Sequence, residues 1–252
     1  MQKSFADYQK KQLIAFLQQM QGREKYRHEF KYEIDSYQLE ILKSRLPYIM
    51  NRDTHTNSNG EYQIRSLYFD DYEDSCFYDK ENGTDPREKF RIRIYNGSSD
   101  IIKLELKRKE QGKTLKKACL LTKKQAERII DGKGVLWQDD MDPLLKKLYL
   151  LQETKNLQPK VIVEYDRIPY VCEYGNVRAT LDLDIRTTTD IKSFFDEQTN
   201  CRLIMPRGIN LLEVKFDEFL PDYIYQTIQL NHLHQITFSK YYLCRKFGGI
   251  TL

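Results

Sequence analysis

Residues 89–94 read Lys-Phe-Arg-Ile-Arg-Ile, and residues 103–107 read Lys-Leu-Glu-Leu-Lys. Successive strand residues point to opposite sides. Lys89, Arg91 and Arg93 therefore share one face of a strand, and Lys103, Glu105 and Lys107 share one face of the next. The register recurs in Glu29 with Lys31, in Lys116 and Arg167, in Arg178 with Asp182 and Asp184, and in Glu213 with Lys215. Ile, Leu, Val and Phe fill the alternate positions. Such a face is equipped to hold clustered negative charge, because a guanidinium fork meets two oxyanion oxygens at once and an ammonium acts as a point charge. A glutamate among these cations offers hard oxygen ligands to a divalent ion such as Mn²⁺ or Mg²⁺.

Strands must carry these residues, and the punctuation of the chain predicts which. Alternation predicts strands at 27–34, 61–70, 89–95, 102–109, 113–121, 159–167, 177–185 and 210–216. Asn96-Gly97 and Gln111-Gly112 are turn dipeptides that make hairpins of the third, fourth and fifth. Helices are expected from Asp35 or Ser36 with Leu39, Leu42 and Leu46 buried, from Thr122 to Asp131, and from Asp142-Pro143. Two more close the chain, over 221–234 and 237–247. Residues 4–20 have amphipathic spacing, so 1–22 is expected to be a helix docked on one α+β domain spanning 23–252.

Two architectures fit this pattern. An open antiparallel sheet would leave the charged face in water, an ordinary arrangement. A barrel would turn that face into a lumen and cover its apolar outside with helices. Glu29, Glu105 and Glu213 are too few to balance the cations, so a charged lumen requires a compact polyanion, for which a polyphosphate is suited.

Composition removes other classes. A formal net charge of +4 over 252 residues is too small to imply nucleic-acid binding. No apolar run reaches the roughly 20 residues needed to span a bilayer, and the N-terminus lacks a secretory signal's apolar core. Five scattered cysteines with no CxxC pair argue against a zinc site and suit a reducing cytoplasm.

In order, the chain contains "RHEFKY", "RSLYFDD", "KFRIRIY", "LELKRK", "VEYDRIPY", "VRATLDLDI", "LLEVKF" and "FSKYY". Over residues 23–247 this set resembles the VTC domain, the polyphosphate polymerase domain of the vacuolar transporter chaperone complex and its bacterial relatives, among the triphosphate tunnel metalloenzymes. The resemblance implies an eight-stranded antiparallel β-barrel with a charged lumen, wrapped by helices. It implies transfer of the terminal phosphoryl group of ATP to a growing inorganic polyphosphate. The family's basic tunnel residues match Lys31, Arg91, Arg93, Lys107, Lys116, Arg167, Arg178 and the helical Lys240, and its metal-binding glutamate matches Glu213. Among these, Arg91, Arg93, Lys107, Arg178 and Lys240 are the expected catalytic set. Lys31, Lys116 and Arg167, joined by Lys89 and Lys215 from the same faces, are expected to bind substrate. Glu29 and Glu105 are further metal candidates.

Hydrolytic tunnel relatives begin with a Glu-x-Glu-x-Lys strand. Here that strand reads Arg27-His28-Glu29-Phe30-Lys31, and a cation in place of the first carboxylate favours synthesis over hydrolysis. A triphosphatase and a non-catalytic polyphosphate-binding module are the alternatives, and a single-strand nucleic-acid binder is a weaker one. Any delivery of polymer across a membrane would need a separate membrane-protein partner. His232 and His234, two apart, do not share a helical face and are not expected to bind metal. Asp70-Asp71 is expected to form a strand-end turn. Glu105 either pairs with lysines or binds metal. The tyrosines are expected on the barrel exterior.

Overall fold

Asn96 and Gly97 both adopt positive φ (51° and 66°), as do Gln111 and Gly112 (48° and 78°). This left-handed pair matches the twist of the flanking strands and sets two tight hairpins. The computed structural model, which describes residues 25–230 and 233–248, builds eight long strands around them. These are β1 (His28–Ile34), β2 (Tyr62–Asp70), β3 (Arg87–Tyr95), β4 (Ser98–Glu110), β5 (Lys113–Leu121), β6 (Gln158–Cys172), β7 (Val177–Thr188) and β8 (Asn210–Phe216). The order is β1-β8-β7-β6-β2-β3-β4-β5, antiparallel throughout, with two-residue strands Asn51–Arg52 and Arg202–Leu203 on β6 and β7. The sheet curls until Arg27 and Thr114 exchange both backbone hydrogen bonds at 2.9 Å. Closure between the first and last strands thus rests on one bridge, and the fold is a curled half-barrel with a concave charged face. The expected N-terminal helix and His232 lie outside the described residues.

Helices cover the convex face. In α1 (Ser36–Arg45), Asp35 caps the Gln38 N–H and Gln38 answers to the Asp35 N–H. In α3 (Lys123–Ile130), Thr122 and Gln125 make the same reciprocal box. Asp142 caps α4 (Pro143–Lys155), where Pro143 takes the first turn. Helices α3 and α4 bury Ile129, Leu144 and Leu148 against Ile92, Leu104 and Leu106. Helices α1 and α5 (Asp222–Ile228) bury Leu42 and Ile224 against Tyr32, Leu181 and Val214.

The alternation does not announce α2 (Ser75–Glu81). Its cap comes from the end of β2, where Asp70 accepts from the N–H groups of Cys76 (2.8 Å) and Phe77 (3.1 Å). Asp70-Asp71 is therefore the strand-end turn expected of it. The helix expected at 221–234 stops at Ile228, where Gln229 turns extended.

The last helix, α6 (Lys240–Gly248), lies against the concave face. Tyr241 and Cys244 bury there against Ile64, Val161, Val163, Leu211 and Ile185. The expectation that apolar residues face only outward is corrected here: part of the concave face is greasy because a helix covers it. The exterior placement of the tyrosines is corrected with it. Tyr62, Tyr68 and Tyr165 are buried in this same cluster, where a phenol packs its ring and offers its hydroxyl to a cation. Asp184 also departs from expectation. Its φ of 48° and the register shift between β6 and β7 put it in an exposed bulge, beyond which Ile185 rather than a charge turns inward.

Candidate functional site

Strands β1 and β8 pair Glu29 opposite Lys215 and Lys31 opposite Glu213, so opposite charges meet across the ladder. The Lys31 ammonium lies 2.7 Å from Glu29 Oε1 and 3.5 Å from Glu213 Oε2, and also donates to the Phe238 carbonyl at 2.9 Å. Lys107 reaches Glu29 from β4 at 2.7 Å, and Lys215 contacts Glu213. Burial opposes ionisation of Glu213, but Lys215, Lys31, Lys240 and Lys107 together hold it well below the usual carboxylate range.

Beside this cluster, Arg91 donates to Glu105 through Nε and Nη2, each at 2.7 Å, and to the Tyr68 hydroxyl at 2.9 Å. Arg93 donates to Ser66 (3.2 Å) and Tyr165 (3.3 Å). Lys116, half exposed at the rim, reaches Glu105 at 3.2 Å. Glu105 is buried and saturated by cations, so of its two expected roles the geometry gives it pairing. Burial works against its charge, and Lys116, Arg93 and Arg91 outweigh that, keeping it well below the usual range.

The third group joins β6, β7 and α6. Arg167 grips Asp182 with Nε and Nη2 at 2.6 and 2.8 Å, and Lys240 reaches the same carboxylate at 2.5 Å. Arg178 sits farther out, bonded to Asp53 (2.7 Å) and the Tyr62 hydroxyl (2.8 Å). Lys240 connects the groups, since its charge acts on Glu213, Asp182 and Tyr68.

All the predicted site residues thus line one concave surface, Lys116 and Arg178 toward its rim. Asp53, Tyr62, Tyr68 and Tyr165 escaped the sequence reading. Tyr165 shares the parity of Arg167, which was the available signal, whereas Tyr62 and Tyr68 alternate with Arg65 and had none. Asp53 lies outside the eight long strands and had none. Among the described residues, no three His, Cys, Asp or Glu side chains come together as a metal cage. Two adjoining carboxylates, Glu29 and Glu213, suit a hard divalent ion whose remaining ligands are phosphate oxygens and water, the usual arrangement for Mg²⁺.

Lys89 differs from its neighbours. It makes no ion pair with a described carboxylate and rests over the Tyr241 ring at 4.7 Å. Burial brings its ammonium from the usual 10.5 to about 8, with Arg87 and Lys107 adding repulsion. Between pH 8 and 10.5 the unfolded chain therefore binds more protons than the folded one, and the anion-free protein should gain stability as pH rises through that window. Anion binding should weaken over the same range as the charge is lost. Urea unfolding at the two ends of the window, with and without tripolyphosphate, checks both trends, and Lys89→Gln should reduce both, because Lys107, which burial also brings to about 8, carries the rest.

The VTC domain model matches residues 26–247. No curated protein sequence matches this chain. Among solved structures, it is similar to an adenylate cyclase-like protein of Bacillus halodurans (17% identity, 82% of this chain and 87% of that one, TM-score 0.48). It is also similar to a Hippeastrum protein with a dominant triphosphatase activity (12% identity, 80% and 83%, TM-score 0.43). A third is the Mimivirus capping enzyme triphosphatase (11% identity, 90% and 99%, TM-score 0.39).

Proposed function

This chain belongs to the VTC domain family, and from that membership and the cation-lined concave face we propose that it is a metal-dependent polyphosphate polymerase. It transfers the terminal phosphoryl group of ATP to a growing inorganic polyphosphate and releases ADP. The observation that carries this reading is the convergence of Lys31, Arg91, Arg93, Lys107, Arg167 and Lys240 on one concave, partly buried surface where cations outnumber carboxylates.

Phosphoryl transfer asks mainly for positioning and for neutralisation of charge on non-bridging oxygens. Arg91, Arg93 and Arg167 provide forks for these oxygens, and their tyrosine partners fix the orientation of the first two. The acceptor is a terminal phosphate oxygen of the polymer, already ionised, so the bond to the γ-phosphorus forms without a general base. The bond to the β-phosphate oxygen breaks, and Lys31, Lys107 and Lys240 offset the charge left on ADP. Glu213, with Glu29, would hold the divalent ion, which supplies Lewis-acid charge stabilisation on the phosphates.

Arg27 bears on the alternative of hydrolysis. Its Nε lies 2.9 Å from Asp217 at the end of β8, so a paired cation occupies the position where hydrolytic relatives carry a carboxylate. Purified protein with ATP and Mn²⁺ should yield ADP and a polymer sensitive to a polyphosphatase. Accumulation of ADP and orthophosphate alone would instead make it a triphosphatase, and tight polymer binding without turnover would make it a binding module. Among the described residues no helix is long and apolar enough to cross a membrane.

A further inference from the structure

The β3–β4 ladder treats its two faces differently. On the convex face, Glu88 stands opposite Arg108, and the two are ion-paired at 3.3 Å. On the concave face, Arg91 stands opposite Glu105, but the next two rungs toward the strand ends place Lys89 opposite Lys107 and Arg87 opposite Lys109. Like charges directly opposite each other destabilise an antiparallel pair. Lys107 finds relief in Glu29. The outermost rung finds none: Arg87 donates only to the Thr84 carbonyl (2.8 Å), and Lys109 makes no ion pair within 4 Å among the described residues.

A third cation arrives from another element. Lys80, on α2, bonds weakly to the Thr237 hydroxyl at 3.5 Å, and both Arg87 and Lys31 repel its charge. Lys109 in turn is repelled by Arg87, Lys31 and Lys80, and burial together with these charges lowers its pKa. Of the neighbouring carboxylates, Asp85 accepts from the Gln111 N–H, Glu29 pairs with Lys31 and Lys107, and Glu81 attracts Lys80 without forming an ion pair within 4 Å. Three elements thus bring cations together at one end of the concave face, beyond the ion-paired region that surrounds Glu29, Glu105 and Asp182.

We propose that Lys80, Arg87 and Lys109 form a polyanion-binding mouth that grips the polyphosphate chain one rung outward of the Lys89–Lys107 pair. The proposal rests on the polyphosphate reading above and adds a location and a consequence. A chain held at the mouth stays on the protein between additions, so the mouth sets product length rather than the rate of transfer. A triphosphate held at the transfer site leaves most of the mouth unoccupied, whereas a long chain runs on through it.

The test compares the full chain with a Lys80→Gln, Arg87→Gln, Lys109→Gln triple variant and with Lys109→Gln alone. Affinity is measured for tripolyphosphate and for polyphosphate of about 100 units, a length that spans both sites. The triple variant should bind the long polymer about tenfold more weakly and tripolyphosphate within about twofold of the unsubstituted protein, with Lys109→Gln showing part of the effect. Its synthesis products should shorten while ATP turnover is unchanged. Without anion its urea midpoint should equal or exceed that of the parent, because repulsive rungs have been removed. Equal weakening of both ligands would merge the cluster with the transfer site and overturn the proposal, as would unchanged long-chain affinity or a lower urea midpoint. If the unsubstituted protein binds neither probe, the polyphosphate reading itself fails. If it binds both and only the long-chain difference is missing, the mouth alone is overturned.

Discussion

Replacing Glu213 by Gln should lower metal-dependent turnover by about 10³-fold or more while leaving polyphosphate binding intact or tighter. The change keeps the shape of the side chain and removes its charge. Glu213 is buried, ionised and set among Lys31, Lys215, Lys107 and Lys240, so its loss makes the concave face more cationic. That favours a polyanion, and it removes the strongest remaining hard ligand for a divalent ion. Turnover titrated against Mn²⁺, alongside tripolyphosphate affinity measured without metal, separates the two effects. A purely structural role would lower binding and stability together and leave the metal dependence of the residual activity unchanged. Normal synthesis by Glu213→Gln would eliminate Glu213 as the metal ligand. Glu29→Gln should have a smaller effect on turnover, because Glu29 mainly neutralises Lys31 and Lys107.

Asp182→Asn should be the most damaging substitution to the anion-free fold. Asp182 is fully buried and is the sole described carboxylate gripped by both Arg167 and Lys240. Burial disfavours its charge, but Arg167 and Lys240 outweigh burial and hold it ionised. Removing one partner of such a buried group leaves two cations uncompensated, at a cost of about 3–5 kcal/mol. Lys240 also anchors α6 to β7, so the helix should become more susceptible to proteolysis. Tripolyphosphate should restore more stability to Asp182→Asn than it adds to the unsubstituted protein, since a phosphate can take the place of the carboxylate between the same two cations. Urea unfolding with and without the ligand measures this difference. Asp166→Asn serves as the control: it pairs with Arg186 at a third exposed, and its loss should cost less than about 1 kcal/mol. An Asp182→Asn variant as stable as that control would show that the buried triad contributes nothing.

The concave face was legible because strand periodicity is strict. Once Lys89, Arg91 and Arg93 are taken as alternate residues of one strand, they must share a side whatever surrounds them. The same holds for Glu29 with Lys31 and for Glu213 with Lys215. The rule failed where the backbone left its regular path. The bulge at Asp184 reverses the parity of β7 and exposes a carboxylate that counting by twos places inside. Helix α2 was illegible for a related reason, since its cap, Asp70, stands five residues before its first residue and acts across a turn.

Local patterning by itself determined the strands, the two left-handed hairpin turns, the capped helices and, in the strands other than β2, the division into a charged and an apolar side. These depend on dihedral preference, side-chain alternation and hydrogen bonds a few residues apart. Which charges neutralise one another was decided only by the tertiary structure. Glu29 meets Lys107 across 78 residues, Lys240 meets Asp182 across 58, and Tyr241 meets Asp70 across 171. The same long-range packing brought α6 onto the concave face and turned Tyr62, Tyr68 and Tyr165 into supports for arginines. Ion pairing and burial depend on separation in space, and a sequence records only separation along the chain.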